Sequence, residues 1–192
     1  MPNLYIISGC NGAGKTTASY TVLPELLNCN EFVNADNIAV GLSPFNPESV
    51  AFEAGRIMLQ RIDDLLQSGI DFAFETTLST KSYVSFIKKA KVKGYTIILL
   101  YLWLDSPQFA IDRVAKRVST GGHNIANVVI IRRYYRGISN LVKLYIPVCN
   151  SWLVVHNMGA SPEIVAKSSN LLDKIIINSD IWNIILLQSN DN

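Results

Sequence analysis

Short apolar runs alternate along this chain with longer stretches in which apolar residues recur every three or four positions. The runs at 4–7 (LYII), 32–35 (FVNA), 72–75 (FAFE), 96–104 (TIILLYLWL) and 152–155 (WLVV) have the length and composition of strands. The stretches 15–28, 47–68, 81–93, 107–118, 127–144 and 163–188 have helical spacing, with a break allowed near Asn178. The helix over 47–68 is the best punctuated. Asn46 can cap it, Pro47 suits its first position, apolar residues recur at 50, 54, 57, 58, 62, 65 and 66, and Gly69 stops it.

Strands alternating with helices predict an α/β domain with a mostly parallel five-stranded sheet between two helical layers. In such sheets ligands bind beyond the carboxyl ends of the strands. Five places therefore hold the candidates: Ser8 to Thr17, Asp36, Glu75 to Thr80, Asp105, and His156 with Asn157. No repeat, linker or low-complexity tract divides the 192 residues, so they read as one domain. The apolar, asparagine-rich tail INSDIWNIILLQSNDN reads as a packing helix, with self-association through it left open.

The first of these places is the most specific. Gly9-Cys10-Asn11-Gly12-Ala13-Gly14-Lys15-Thr16 matches GxxxxGK[ST], preceded by an apolar strand and followed by a helical pattern. Its glycines let successive N–H groups turn inward onto phosphate oxygens. Lys15 reaches the terminal phosphates, the Thr16 hydroxyl can coordinate Mg²⁺, and the next helix offers its positive end. Residues 9–17, Thr17 included, are thus expected to bind the phosphates of ATP. The ABC-type ATPases share NGAGKTT, but they need an LSGGQ-like stretch ahead of a strand ending in Asp-Glu. Neither is present, since GLSPF at 41–45 falls too early and lacks the glycine pair.

Phosphoryl transfer also needs a group that orients a hydroxyl and accepts its proton. Asp36, at the end of the second strand, is the candidate base, and it can equally serve as a turn former in NADN. Glu75 ends a buried apolar strand, where an acid must be paired or face a cleft. It is a candidate for substrate hydroxyls or for the metal, with Thr76 and Thr77 beside it, while Thr80 is read as the cap of the next helix. Asp105 resembles the strand-end aspartate that binds Mg²⁺ in many NTPases, but Asp105-Ser106-Pro107 reads better as a helix entry.

Five arginines cluster between 113 and 136. Arg113 and Arg117 share a helix face, and Arg132, Arg133 and Arg136 follow the glycine-rich connector VSTGGHNIAN. Helix, connector and helix predict a lid over about 113–136 that brings guanidinium groups onto the transferred phosphate, with Arg117, Arg132 and Arg133 as the catalytic candidates. Surface salt bridging is the competing reading for some of them. His123 is either a ligand contact or an exposed loop residue.

Composition and charge narrow the setting. Hydrophobic residues make up 49% and charged residues 17%, which excludes a disordered chain. No apolar run reaches the ~18–20 residues of a membrane span, and no secretory pattern opens the sequence. Cys10, Cys29 and Cys149 form no CxxC, and the expected setting is reduced and cytoplasmic. Residues 1–80 carry nine acids and three bases, net −6, and the rest carries +8. Four of the lysines lie together in KKAKVK at 88–93, a solvated helix face rather than a nucleic-acid patch.

Together GxNGAGKTT, FVNAD, GLSPF, FETTLS, the RV…GGHNI connector and IIRRYY resemble the zeta-toxin group of P-loop kinases, over about residues 4–157. The resemblance implies a P-loop kinase fold, ATP with Mg²⁺, and phosphorylation of the amino-sugar hydroxyl of UDP-N-acetylglucosamine. It implies Lys15 and Thr16 for ATP and metal, Asp36 as base, Glu75 and Thr77 for the sugar, and Arg117 with Arg132 or Arg133 from the lid. An antitoxin protein is the implied partner. The chain departs from compact relatives at Ala126, where they have proline, and at His156-Asn157, where they have Asp-Asn. Two other expectations stay open: a kinase for another acceptor (antibiotic, metabolite or polynucleotide end), and a non-catalytic ATP-binding regulator.

Overall fold

The computed structural model describes residues 1–119, 121–122, 124–159, 161–170 and 173–190. Seven strands form one sheet: β1 (Asn3–Gly9), β2 (Phe32–Val33), β3 (Phe72–Thr76), β4 (Thr96–Trp103), β5 (Ser151–His156), β6 (Glu163–Ser168) and β7 (Lys174–Ile176). Their spatial order is β2-β3-β1-β4-β5-β6-β7. The first five are parallel; β6 and β7 pair antiparallel. β1 lies between β3 and β4, so its carboxyl end opens at the middle of the sheet.

Each predicted strand is present, but the sheet is larger than the five expected. The stretch 163–188 is not one helix. It forms the β6–β7 hairpin and then helix α7 (Ser179–Gln188). Asn170 and Asp173 hydrogen-bond to each other, and these turn formers interrupt the helical spacing. Asn178 then caps α7, its side chain accepting the Ile181 N–H at 3.0 Å. Asn178, read as a break, is the true start.

Proline shapes two other helices. Helix α1 covers Lys15–Thr21 and passes into a π-helical turn over Val22–Leu26, which contains Pro24; a widened turn tolerates the missing N–H. A second π-helical turn, Leu141–Tyr145, extends helix α6 (Asn127–Asn140) towards Pro147. Helix α2 (Ala35–Leu42) was not expected. The FVNA strand is only two residues long, because the Asn34 side chain accepts N–H bonds from Asp36 and Asn37 and starts a helix there. The 47–68 stretch begins as a 3₁₀ turn, Pro47–Val50, with no side-chain cap from Asn46, and continues as α3 (Ala51–Ser68), closed at Gly69 as expected. Helices α4 (Tyr83–Val92) and α5 (Pro107–Ser119) lie where the spacing puts them.

The main core packs Leu4, Ile6, Phe72, Phe74, Ile97, Leu99, Tyr101 and Trp103 against α3, α4 and α6. On the other sheet face Tyr5, Ile7 and Ala73 pack with Leu23 and Cys29. The three cysteines are free and buried. Among the described residues no helix is long and apolar enough to cross a membrane.

Candidate active site

The chain from β1 into α1 passes through the glycine loop at 9–14. Gly9 (φ 143°) and Gly12 (φ 77°) hold backbone angles that L side chains rarely adopt. A Cβ at Gly12 would sit 2.9 Å from the Ala110 carbonyl, and one at Gly9 would collide with that of Leu102. The loop is thus seated tightly on β4 and α5. It is also held from outside. Asn157 Nδ2 donates to the Ala13 carbonyl at 2.8 Å, Arg113 donates to the carbonyls of Gly12 (3.5 Å) and Met158 (3.3 Å), and Arg133 Nη1 donates to Asn11 Oδ1 at 3.3 Å. Cys10 fills space within the loop. Burial pushes its thiol up to about 11, so it is neutral near pH 7.

Lys15, the first residue of α1, is 7% exposed, and its ammonium donates to the Cys10 carbonyl at 2.9 Å. It lies 3.5 Å from Glu75 Oε1 on β3, itself 8% exposed. The other Glu75 oxygen accepts the Thr16 hydroxyl and Asn34 Nδ2, both at 2.8 Å. An almost buried carboxylate is therefore held by one cation and two neutral donors. Asn34 uses both ends of its amide, the oxygen capping α2 and the nitrogen fixing Glu75.

These groups open onto a cavity of about 210 Å³ lined by Asn11, Lys15, Asn34, Asp36, Glu75 and Arg133, with Thr76, Thr77, Ser79 and Thr80 on a further wall. Asp36 stands exposed on the first turn of α2. Burial lowers the Arg133 pKa from its usual value, and the nearby Asp36 carboxylate opposes that shift. Asp36 and Arg133 also line a second cleft of about 350 Å³, which runs on between the start of α3 and the residues leading into α6.

The structure brings most of the sequence candidates together. Asn11, Lys15, Asp36, Glu75, Thr76, Thr77 and Arg133 share one cavity, and Thr16 bonds to Glu75 at its edge. The other arginine candidates are elsewhere in this conformation. Arg132 is exposed and lines neither cavity, and Arg117 packs against Gly122. His123 lies outside the described residues. Thr80 accepts the Ser82 N–H at 3.2 Å just ahead of α4, and so forms a turn instead of capping the helix. The helix-entry role read for Asp105 falls to Ser106, whose hydroxyl accepts the Phe109 N–H, while Asp105 bonds to His156 Nε2 at 2.6 Å.

Three contributors were not singled out from the sequence for these roles: Asn34, Asn157 as a loop clamp, and Arg113 as a loop clamp. Asn34 had a readable signal, because an asparagine between a β run and Ala-Asp-Asn is a helix cap. Asn157 and Arg113 reach the loop across 144 and 101 residues, a separation that no local pattern encodes.

The zeta toxin family model matches residues 43–147. A Haemophilus influenzae protein, uncharacterized, is 30% identical over 131 residues, 66% of this chain and 88% of its own length. Among solved structures, AvrRxo1-ORF1:ORF2 with ATP superposes with a TM-score of 0.79 at 18% identity, covering 96% of this chain but only 63% of that one. The PezAT toxin–antitoxin system of Streptococcus pneumoniae gives 0.63 at 14% identity, over 100% of this chain and 87% of that one. The fold is that of the P-loop kinases.

Proposed function

The chain belongs to the zeta toxin family, and from that membership and the site's geometry we propose that it is an ATP-dependent phosphotransferase acting on a hydroxyl. The observation that carries this reading is the shared cavity. Lys15 and Asn11 of the glycine loop line it together with Asp36 and Arg133, so the phosphate loop and the candidate base face one space.

ATP lays its phosphates along the loop amides at 9–16, with Lys15 on the terminal groups. Glu75 and Thr16 fit Mg²⁺, since they present hard oxygen donors in contact with each other beside the phosphate loop. When bound, the metal neutralises charge on the β- and γ-phosphates. Thr76 and Thr77 offer hydrogen bonds to the acceptor. Asp36 accepts the acceptor's proton as its oxygen bonds to the γ-phosphorus, the bond from that phosphorus to the bridging oxygen breaks, and ADP leaves. Arg133 balances the charge that develops on the transferred group. Arg117 and Arg132 join only if the α5–α6 segment closes further.

The acceptor that the family resemblance implies is the amino-sugar hydroxyl of UDP-N-acetylglucosamine, which is the first compound to assay. ADP release should be measured over a panel of hydroxyl compounds with MgATP. Binding of ATP with no turnover on any of them would favour the regulator. Transfer to polynucleotide ends, with salt-sensitive binding, would favour the polynucleotide reading. The PezAT system includes an antitoxin, and an antitoxin-like protein is the partner proposed here; co-purification with the product of a neighbouring reading frame tests it.

A further inference from the structure

The chain leaving β3 takes a conformation that it would not hold unaided. Leu78 has φ 55°, a left-handed angle that leucine rarely adopts, and its side chain is fully buried. It sits in the middle of the turn over 76–80, of which Thr76, Thr77, Ser79 and Thr80 line the catalytic cavity. The Thr76 hydroxyl accepts the Leu78 N–H at 3.1 Å, and the Thr77 and Ser79 hydroxyls lie 2.9 Å apart. Backbone strain of this kind persists where the surroundings over-determine it, and it clusters at functional sites.

The support comes from α6 and the π-helical turn that follows it. Asn140, almost fully buried, donates through Nδ2 to the Leu78 carbonyl at 2.7 Å. The Tyr145 hydroxyl donates to the Thr80 carbonyl at 2.6 Å, and burial raises its pKa, so it keeps its proton. Gly137 lets the two segments approach: a Cβ there would sit 2.6 Å from the Thr77 carbonyl oxygen. Glycine inside a helix is less stable than alanine, and this approach accounts for its presence. Arg133, Gly137 and Asn140 follow one another at i, i+4 and i+7 and so share a helix face. Arg133 reaches Asn11 of the phosphate loop. One face of α6 therefore touches the phosphate loop at one end and the turn at 76–80 at the other.

We propose that Gly137, Asn140 and Tyr145 are positioning residues for the acceptor. They hold the turn so that the Thr77 and Ser79 hydroxyls meet the acceptor at a set distance from Asp36 and from the phosphate beside Arg133. This deepens the phosphotransferase reading and rests on it. A merely structural role predicts something else. If these residues only satisfied buried carbonyls, their loss would lower the folded fraction, and the enzyme still folded would keep both KM values.

The test measures kcat and the KM for each substrate, with MgATP and UDP-N-acetylglucosamine first and then the rest of the hydroxyl panel, well below each variant's unfolding midpoint. Gly137→Ala is the sharpest variant, because alanine favours the helix while its methyl forces the Thr77 carbonyl to move. A displacement of roughly 1 Å should lower kcat/KM for the acceptor by about 10²-fold, most of it in KM. Asn140→Asp and Tyr145→Phe keep the shape and lose a donor. Each should raise the acceptor KM by about three- to tenfold, the effect of one lost hydrogen bond. Tyr145→Phe keeps its ring in the core and serves if Asn140→Asp fails to fold. In all three the KM for ATP should match the wild type. An unchanged acceptor KM, a fall in kcat alone, or a parallel rise in the KM for ATP overturns the positioning role and leaves the kinase reading intact. Transfer by the wild type to no compound of the panel overturns that reading, and this proposal with it.

Discussion

The two walls of the site are built in different ways. The phosphate wall is made of backbone: strained glycines, amides at a helix start, and carbonyls held by Asn157 and Arg113. Its few side chains, Lys15, Glu75 and Asn34, are almost fully buried and bonded to one another. The acceptor wall is made of side chains on short or irregular elements, namely α2, the 3₁₀ turn at Pro47 and the approach to α6, and its key acid, Asp36, is exposed. The contrast follows from the ligands. A polyphosphate is the same in every nucleotide and is met by a fixed array of N–H groups. The acceptor differs from enzyme to enzyme and is met by residues that can change without disturbing the loop.

The strongest way to break this comparison is to remove Lys15, the buried cation of the phosphate wall that faces Glu75. Lys15→Ala should lower kcat/KM by between about 10² and 10³. It should also destabilise the fold by about 3–5 kcal/mol, because Glu75 is left buried with its charge uncompensated. Lys15→Met combined with Glu75→Gln separates the two effects. In denaturant titrations the double variant should recover most of the stability, while activity stays lost. Lys15→Ala with wild-type stability would show that Lys15 and Glu75 are not energetically coupled.

On the opposite wall the same logic predicts activity loss without stability loss. Asp36→Asn should reduce kcat by about 10²–10⁴, the usual range for a general base. Its melting temperature and ATP affinity should be nearly unchanged, since Asp36 is exposed and lies outside the Lys15–Glu75 network. If the loss falls on the KM for ATP instead, Asp36 belongs to the nucleotide wall and the division into two walls is wrong.

The difference between the walls also explains what could be read from the sequence. The phosphate loop is one contiguous string flanked by a strand and a helix, so its residues and chemistry were legible at once. Glu75 and Asp36 were legible as acids at strand ends. The cleft was not, because it joins α2, Pro47, Ala51 and the approach to α6 from three parts of the chain. The hairpin at 163–176 was hidden for another reason. Its β7 edge, Lys174–Ile176, is exposed on every residue, so it lacks the alternation that marks a strand with one buried face. Arg133 was one of three catalytic arginine candidates, with Arg117 and Arg132, among which no local feature chooses; its position on α6 opposite Asn11 distinguishes it.

A smaller effect is expected where a side chain supports the phosphate wall from outside. Asn157→Ala leaves the Ala13 carbonyl without its donor, at a cost of about 1–3 kcal/mol. The KM for ATP should rise several-fold, with a smaller change in kcat, because the loop loosens while Lys15 and Asp36 stay in place. An equal fall in kcat with no change in KM would place Asn157 in the chemistry instead.

The smallest effect is an expected silence. Cys10 sits within the phosphate loop, and burial pushes its thiol up to about 11; Cys149, in the core, is raised to about 12, and Cys29 is raised in the same direction. At pH 8 the reactive thiolate of Cys10 should be about one part in 10³, and access is blocked as well. A disulfide reagent added to the native protein at pH 8 should leave all three thiols unmodified, and urea should expose all three. The sign of the pH effect follows from the raised pKa. The neutral thiol contributes stability that is full below the unfolded value, near 8.5, and is lost as pH rises towards about 11. Labelling of Cys10 should therefore accelerate only in that alkaline range and slow further with MgATP bound, since the ligand closes the loop. Rapid labelling of Cys10 at pH 8, with Cys29 and Cys149 still protected, would mean that the loop opens by itself, making the phosphate wall as adaptable as the acceptor wall.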